Sequence, residues 1–111
     1  MFEHYVVFTP KPGRADDLAQ ALSDFGAGVH GTLPDLLELT FGANVNTGGL
    51  QRGFTHACLA RLTSETAFKD QYWNHPAHRR LLERLDELCE ERFALDYVPE
   101  ATVTGRKEHA V

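Results

Sequence analysis

The sequence has little that would tie it to a metal, a membrane or a nucleic acid. Cysteine is scarce: Cys58 and Cys89 are the only two, and neither CxxC nor HExxH spacing occurs, so the common zinc motifs are absent. Both cysteines fall on apolar faces and read as small buried core residues rather than halves of a disulfide. No apolar run approaches the ~20 residues that a membrane-spanning helix needs. The start, Met1-Phe2-Glu3-His4, has neither the basic residues nor the apolar stretch of a signal peptide, so the chain is expected in the cytoplasm. Basic charge is also thin, with 11 Lys and Arg scattered in a chain of net charge −5. Phosphate binding wants a concentrated basic surface, so neither nucleic acid nor membrane is expected as a partner. Gly48, Gly49 and Gly53 match neither the P-loop nor the dinucleotide fingerprint and read as turn residues.

What is present suits one small globular unit. The chain has 111 residues, 42% of them hydrophobic, enough for one core and not for two. Residues 1–99 read as a single domain and 100–111 as a polar C-terminal tail. Phe2 to Thr9 alternates as a strand and is stopped by Pro10-Lys11-Pro12-Gly13. Leu18, Leu22, Phe25 and Val29 then follow the 4-3-4 spacing of one helix face, with Gly26, Gly28 and Gly31 loosening its end. Leu36 to Phe41 is a second strand, with Leu37, Leu39 and Phe41 on one side, and Gly42 to Gly53 a loop. Phe54 to Leu62 is a third strand. Ser64 caps a short helix reaching Tyr72. Pro76 opens another helix to about Arg92, and Phe93 to Val98 is the last strand.

The order β-α-β-β-α-α-β is that of an α+β, ferredoxin-like split βαβ fold. In that topology the first and third strands are antiparallel central neighbours, and helices cover one face of the sheet. The other face carries Tyr5, Val7, Ala57 and Leu59, too apolar to leave in water. A second copy of the chain is the simplest cover, so a homodimer through the sheet face is expected.

Four polar residues interrupt the apolar faces. His4 alternates with Phe2, Val6 and Phe8, and His56 with Phe54, Cys58 and Ala60. His78 opens a helical stripe that continues through Leu81, Leu82, Leu85, Leu88 and Cys89, and Tyr72 closes the preceding short helix. A polar group buried without a partner costs about 1–3 kcal/mol. Three inward imidazoles and a phenol therefore form either an internal hydrogen-bonded network or a pocket that meets a ligand. If both strand histidines face the covering helices, all four can converge. A zinc site from His4, His56 and His78 would still need a fourth ligand or an open position. The end of the first helix, Val29 to Asp35, offers one carboxylate, at most a weak magnesium site. No metal and no cofactor are expected. His75 reads as a helix-start residue beside Pro76, and Phe68 and Trp73 as core or pocket wall. His30 and His109 read as solvated.

The combination of His4 before Val6-Val7-Phe8, Phe41-Gly42-Ala43-Asn44, Arg52-Gly53-Phe54-Thr55-His56-Ala57, and Tyr72 ahead of His75-Pro76-Ala77-His78 resembles the stress-responsive dimeric α/β-barrel (Dabb) family across about residues 1–98. The resemblance implies a ferredoxin-like protomer whose sheet pairs with a second one into a barrel. The chain is also similar at these positions to the family's plant polyketide cyclase, which forms olivetolic acid. That likeness implies a cofactor-free intramolecular aldol condensation of a poly-β-keto thioester. His78 would be the catalytic base and Tyr72 the hydrogen-bond donor to the developing oxyanion, with His4 and His56 binding or orienting the substrate. A small apolar or aromatic carbonyl compound is the ligand so implied. Two other readings stay open: a ligand-binding or stress-protective dimer without chemistry, and a cofactor-independent monooxygenase.

Overall fold

Alternation along Phe2–Pro10 builds strand β1, which sends Phe2, His4 and Phe8 into the interior. The computed structural model describes residues 1–107. Of the expected tail, the last four residues, His109 among them, lie outside the described residues. Helix α1 (Ala15–Val29) buries Leu18, Leu22, Phe25 and Val29, as their spacing requires. Strands β2 (Leu36–Ala43) and β3 (His56–Leu62) follow. Next come a single turn, α2 (Glu65–Ala67), and a π-helical turn over Phe68–Tyr72. Helix α3 (Pro76–Leu88) leads directly into β4 (Cys89–Tyr97). The four strands form one antiparallel sheet in the order β2-β3-β1-β4. This is the ferredoxin-like α+β fold.

Helices α1 and α3 close one face of the sheet over a core that includes Phe8, Leu22, Ala60, Leu62, Leu81 and Leu85. Each large side chain buried there contributes about 1.5–3 kcal/mol. The other face leaves Tyr5, Phe93, Leu95 and Tyr97 exposed. Register sets these on one side: Tyr5 pairs with Leu59 and Leu95, and Val7 with Ala57 and Phe93.

Several boundaries differ from the sequence expectation. The helix expected to reach Arg92 ends at Leu88, and β4 begins at Cys89. The leucine stripe offers nothing more to bury after Leu88, and β1 supplies ladder partners as far back as Cys89, which aligns with Pro10. No glycine or proline marks the change. Cys58 is buried as expected, but Cys89 is only half-buried because the strand carries it to the sheet end. Strand β2 runs on to Ala43, and an irregularity between Leu36 and Glu38 leaves Leu37 exposed. The glycines of α1 do not end it early. Gly28 is where α1 meets α3: a β-carbon there would lie 2.8 Å from the Ala77 Cβ, so only glycine permits this approach.

Candidate functional site

The residue types that bring polar atoms into the core are placed by three different devices. His4 is placed by strand alternation, one residue from the buried Glu3 and opposite Asp96 on β4. Tyr72 is placed by the π-helical turn, closed by the Trp73 N–H donating to the Phe68 carbonyl at 2.9 Å. Such turns widen a helix locally and recur at functional sites. His78 is placed by the start of α3, which His75 caps: the His75 Nδ1 accepts from the Ala77 N–H at 3.1 Å. An accepting Nδ1 leaves the proton on Nε2, which donates to Thr32 Oγ1 at 2.9 Å. Thr32 in turn donates to the Val29 carbonyl at 3.0 Å. His75 thus ties the start of α3 to the end of α1, the helix-start role read from the sequence.

His4, Tyr72 and His78 meet. The ring centroids of His4 and Tyr72 lie 5.7 Å apart, and those of Tyr72 and His78 4.8 Å apart. Phe68 lies against His4 at 4.6 Å, Trp73 against His78 at 4.9 Å and Phe25 against Tyr72 at 5.8 Å. These contacts are within the range in which aromatic rings pack favourably. The three polar residues line one cavity of about 240 Å³ whose remaining walls include Val6, Phe8, Cys58, Leu81, Leu85, Arg92 and Ala94.

The surroundings of His78 and Tyr72 define their protonation. The Nδ1 of His78 is 3.0 Å from the Trp73 carbonyl oxygen, which can only accept, so Nδ1 carries the proton and Nε2 keeps its lone pair. Burial pushes the His78 pKa down, against the pull of that hydrogen bond, with the nearby His4 and His75 lowering it further. The ring is neutral at neutral pH. Burial likewise raises the Tyr72 phenol well above its ordinary value, helped by Cys58 and Asp96. Tyr72 therefore stays a neutral donor, and its hydroxyl has no partner among the described residues. His4 donates from Nδ1 to the Asp96 carboxylate at 2.5 Å. The Cys58 thiol in the same wall is pushed up to about 12 by burial, too high for a thiolate nucleophile.

His56 does not join them. Its register partner is Phe8, and it lies four residues along β3 from Ala60, the partner of His4. At ~3.3 Å per residue this is about 13 Å. Its Nδ1 bonds to Thr55 Oγ1 at 2.8 Å, and it lines a separate depression with Tyr5, Asn44 and Phe54. The convergence expected of four residues is one of three.

Two residues of the site are not legible in the sequence: Asp96, the partner of His4, and Arg92, in the cavity wall. Asp96 is the lone acidic residue within Phe93-Ala94-Leu95-Asp96-Tyr97, a signal that becomes legible only once β4 is paired with β1. Arg92 was assigned to a helix end and turns out to be on β4, with its side chain in the cavity wall. Among the described residues, no group of three or more His, Cys, Asp or Glu side chains is arranged to hold a metal ion, and no helix is long and apolar enough to cross a membrane.

Solved structures share this arrangement of elements. A protein of Arabidopsis thaliana is 19% identical, with 94% of this chain and 100% of that one covered at a TM-score of 0.78. A dimeric ferredoxin-like protein of unknown function from a Jannaschia species is 24% identical, with 88% and 98% covered at 0.78. The hydroxynitrile lyase of Passiflora edulis is 19% identical, with 92% and 96% covered at 0.72. At these identities the likeness is one of fold. No curated protein matches the chain. The model of the stress-responsive A/B barrel domain, Dabb, matches residues 2–99, and the chain belongs to that family.

Proposed function

We propose that the chain is a cofactor-free lyase or cyclase that acts on a β-carbonyl compound of the polyketide type. The observation that carries this reading is the pairing of a neutral His78, its Nε2 lone pair unengaged, with a neutral Tyr72 hydroxyl in one apolar cavity. In the aldol direction, His78 Nε2 takes a proton from the carbon between two carbonyls. The resulting enolate carbon attacks a second carbonyl carbon of the same chain. Tyr72 donates a hydrogen bond to the oxygen on which negative charge develops, and the protonated His78 returns its proton to the new alkoxide. A positioned base is worth ~10²–10⁴ in rate, and an imidazole is suited to the role. His4, held by Asp96, orients the ring system and the substrate. His56 lies outside this cavity.

A linear poly-β-keto thioester incubated with the protein, with cyclised product followed by mass spectrometry, tests the reading. Product above the uncatalysed rate, lost in His78→Gln and Tyr72→Phe, is the expected outcome. A second reading, ligand binding without turnover, is favoured by the depth of the site, since Tyr72 is only 2% and His78 3% exposed. Ring-proton shifts on ligand addition with no product would establish it and remove the first. We further infer that two copies pair through the face that exposes Tyr5, Phe93, Leu95 and Tyr97, since so broad an apolar face is costly in water. Sedimentation of wild type against Leu95→Asp is the check, with a shift from dimer to monomer expected.

A further inference from the structure

Among the described residues, Arg92 is the one fixed positive charge in the wall of the cavity. It aligns with Phe8 on β1, while Asp96 aligns with His4. The cation and the reactive cluster therefore stand four strand residues apart, about 13 Å at the backbone, with Val6 and Ala94 between them. The cavity has two polar ends and an apolar waist. Arg92 donates from one Nη2 to Asp86 Oδ1 at 2.6 Å, and its Nε and Nη1 have no partner among the described residues. Its Asp86 partner is 69% exposed, and an ion pair so open to water is worth little, so it exchanges readily for another anion. The chain as a whole is acidic at net −5. A cation in this wall is thus not part of a general basic surface.

A guanidinium fork matches the two oxygens of a carboxylate and adds little for a neutral ligand. We propose that Arg92 is a specificity residue: it selects substrates that carry a carboxylate at the far end from the carbonyl reacting at His78 and Tyr72. The inference rests on the site reading above for which end is reactive. Anion recognition at Arg92 is nonetheless separable from turnover.

The probe is para-acetylbenzoate, a rigid molecule with a ketone at one end and a carboxylate at the other, compared with its methyl ester. Calorimetric titration of the wild-type protein is expected to show the acid binding about tenfold tighter than the ester, the ratio for roughly 1.4 kcal/mol. Arg92→Met is expected to remove that preference and leave ester affinity unchanged. Arg92→Lys, which keeps the charge and loses the fork, should retain part of it, and Asp86→Asn should strengthen it. His78→Gln should keep the preference whole, so an absence of turnover sinks the aldol reading without touching this one. Equal binding of acid and ester, no binding of the acid at millimolar concentration, or a preference surviving in a folded Arg92→Met protein overturns the proposal.

Discussion

His4 and His56 are the same residue type on two paired strands, both in register with buried residues, yet their surroundings have almost nothing in common. His4 is buried, bonded to a carboxylate and packed among Phe68, Tyr72 and, beyond it, His78. His56 is half-buried, bonded to the hydroxyl of its own neighbour, and outside the cavity. The difference comes from position on the sheet: Arg92, level with His56 through Phe8, lines the cavity from the β4 side, whereas His56 lies on the β3 side. The π-helical turn packs Phe68 and Tyr72 over His4, and the loop after β2 meets the His56 end. Facing the core is therefore not enough to join a site. A residue must also lie on the part of the sheet over which the covering elements bring their own polar groups.

The sharpest break between the two ends is chemical. His78→Gln is expected to lower cyclisation by ~10²–10⁴, the worth of a positioned base, while His56→Gln stays within about twofold; the paired rates are read from product formation. Packing should separate the ends next. Gly28→Ala sets a methyl 2.8 Å from the Ala77 Cβ beside His78, whereas Gly42→Ala on β2 meets nothing within 4 Å. Urea unfolding should show a loss of about 1–3 kcal/mol for the first and less than about 0.5 kcal/mol for the second; equal losses would sink the close-approach account.

Removing each histidine's partner gives a smaller contrast. Asp96→Asn should cost about 1 kcal/mol, below the ~1.5–3 kcal/mol of a hydrogen bond to a charged group because Asp96 is 40% exposed. Thr55→Val, at His56, should fall within about 0.5 kcal/mol. The smallest effect is one of pH. Burial lowers the His78 pKa in the folded chain below the ordinary 6.5, so between those values the unfolded chain binds more protons. The contribution is intact above pH ~6.5 and is lost as pH falls toward the lowered value. The urea midpoint of wild type should decline over that window, and His78→Gln should flatten the decline. A slope unchanged in the variant would mean that another group titrates.

Much of this was legible in the residues. The stripe Leu18, Leu22, Phe25, Val29 names the buried face of α1 because a helix has one period. His4 among Phe2 and Phe8, and His78 ahead of Leu81 and Leu85, fall on buried faces for the same reason. The end of α3 was not legible, because Glu90, Glu91 and Arg92 suit a helix surface as well as an edge strand, and pairing with β1 decided between them. That choice hid Arg92, while Asp96, already on the expected last strand, was hidden by its register against His4.

Local periodicity and residue chemistry thus determined the element order, the buried faces, the family motifs and three of the residues that meet in the cavity. The tertiary structure decided the strand register, and through it that Asp96 holds His4, that Arg92 enters the wall and that His56 stays out. It also decided which nitrogen of His78 is protonated, because that depends on the Trp73 carbonyl 3.0 Å away. Side-chain direction repeats every few residues and can be counted along a sequence. Position across a sheet depends on hydrogen bonds between segments far apart in the chain, and no local count contains it.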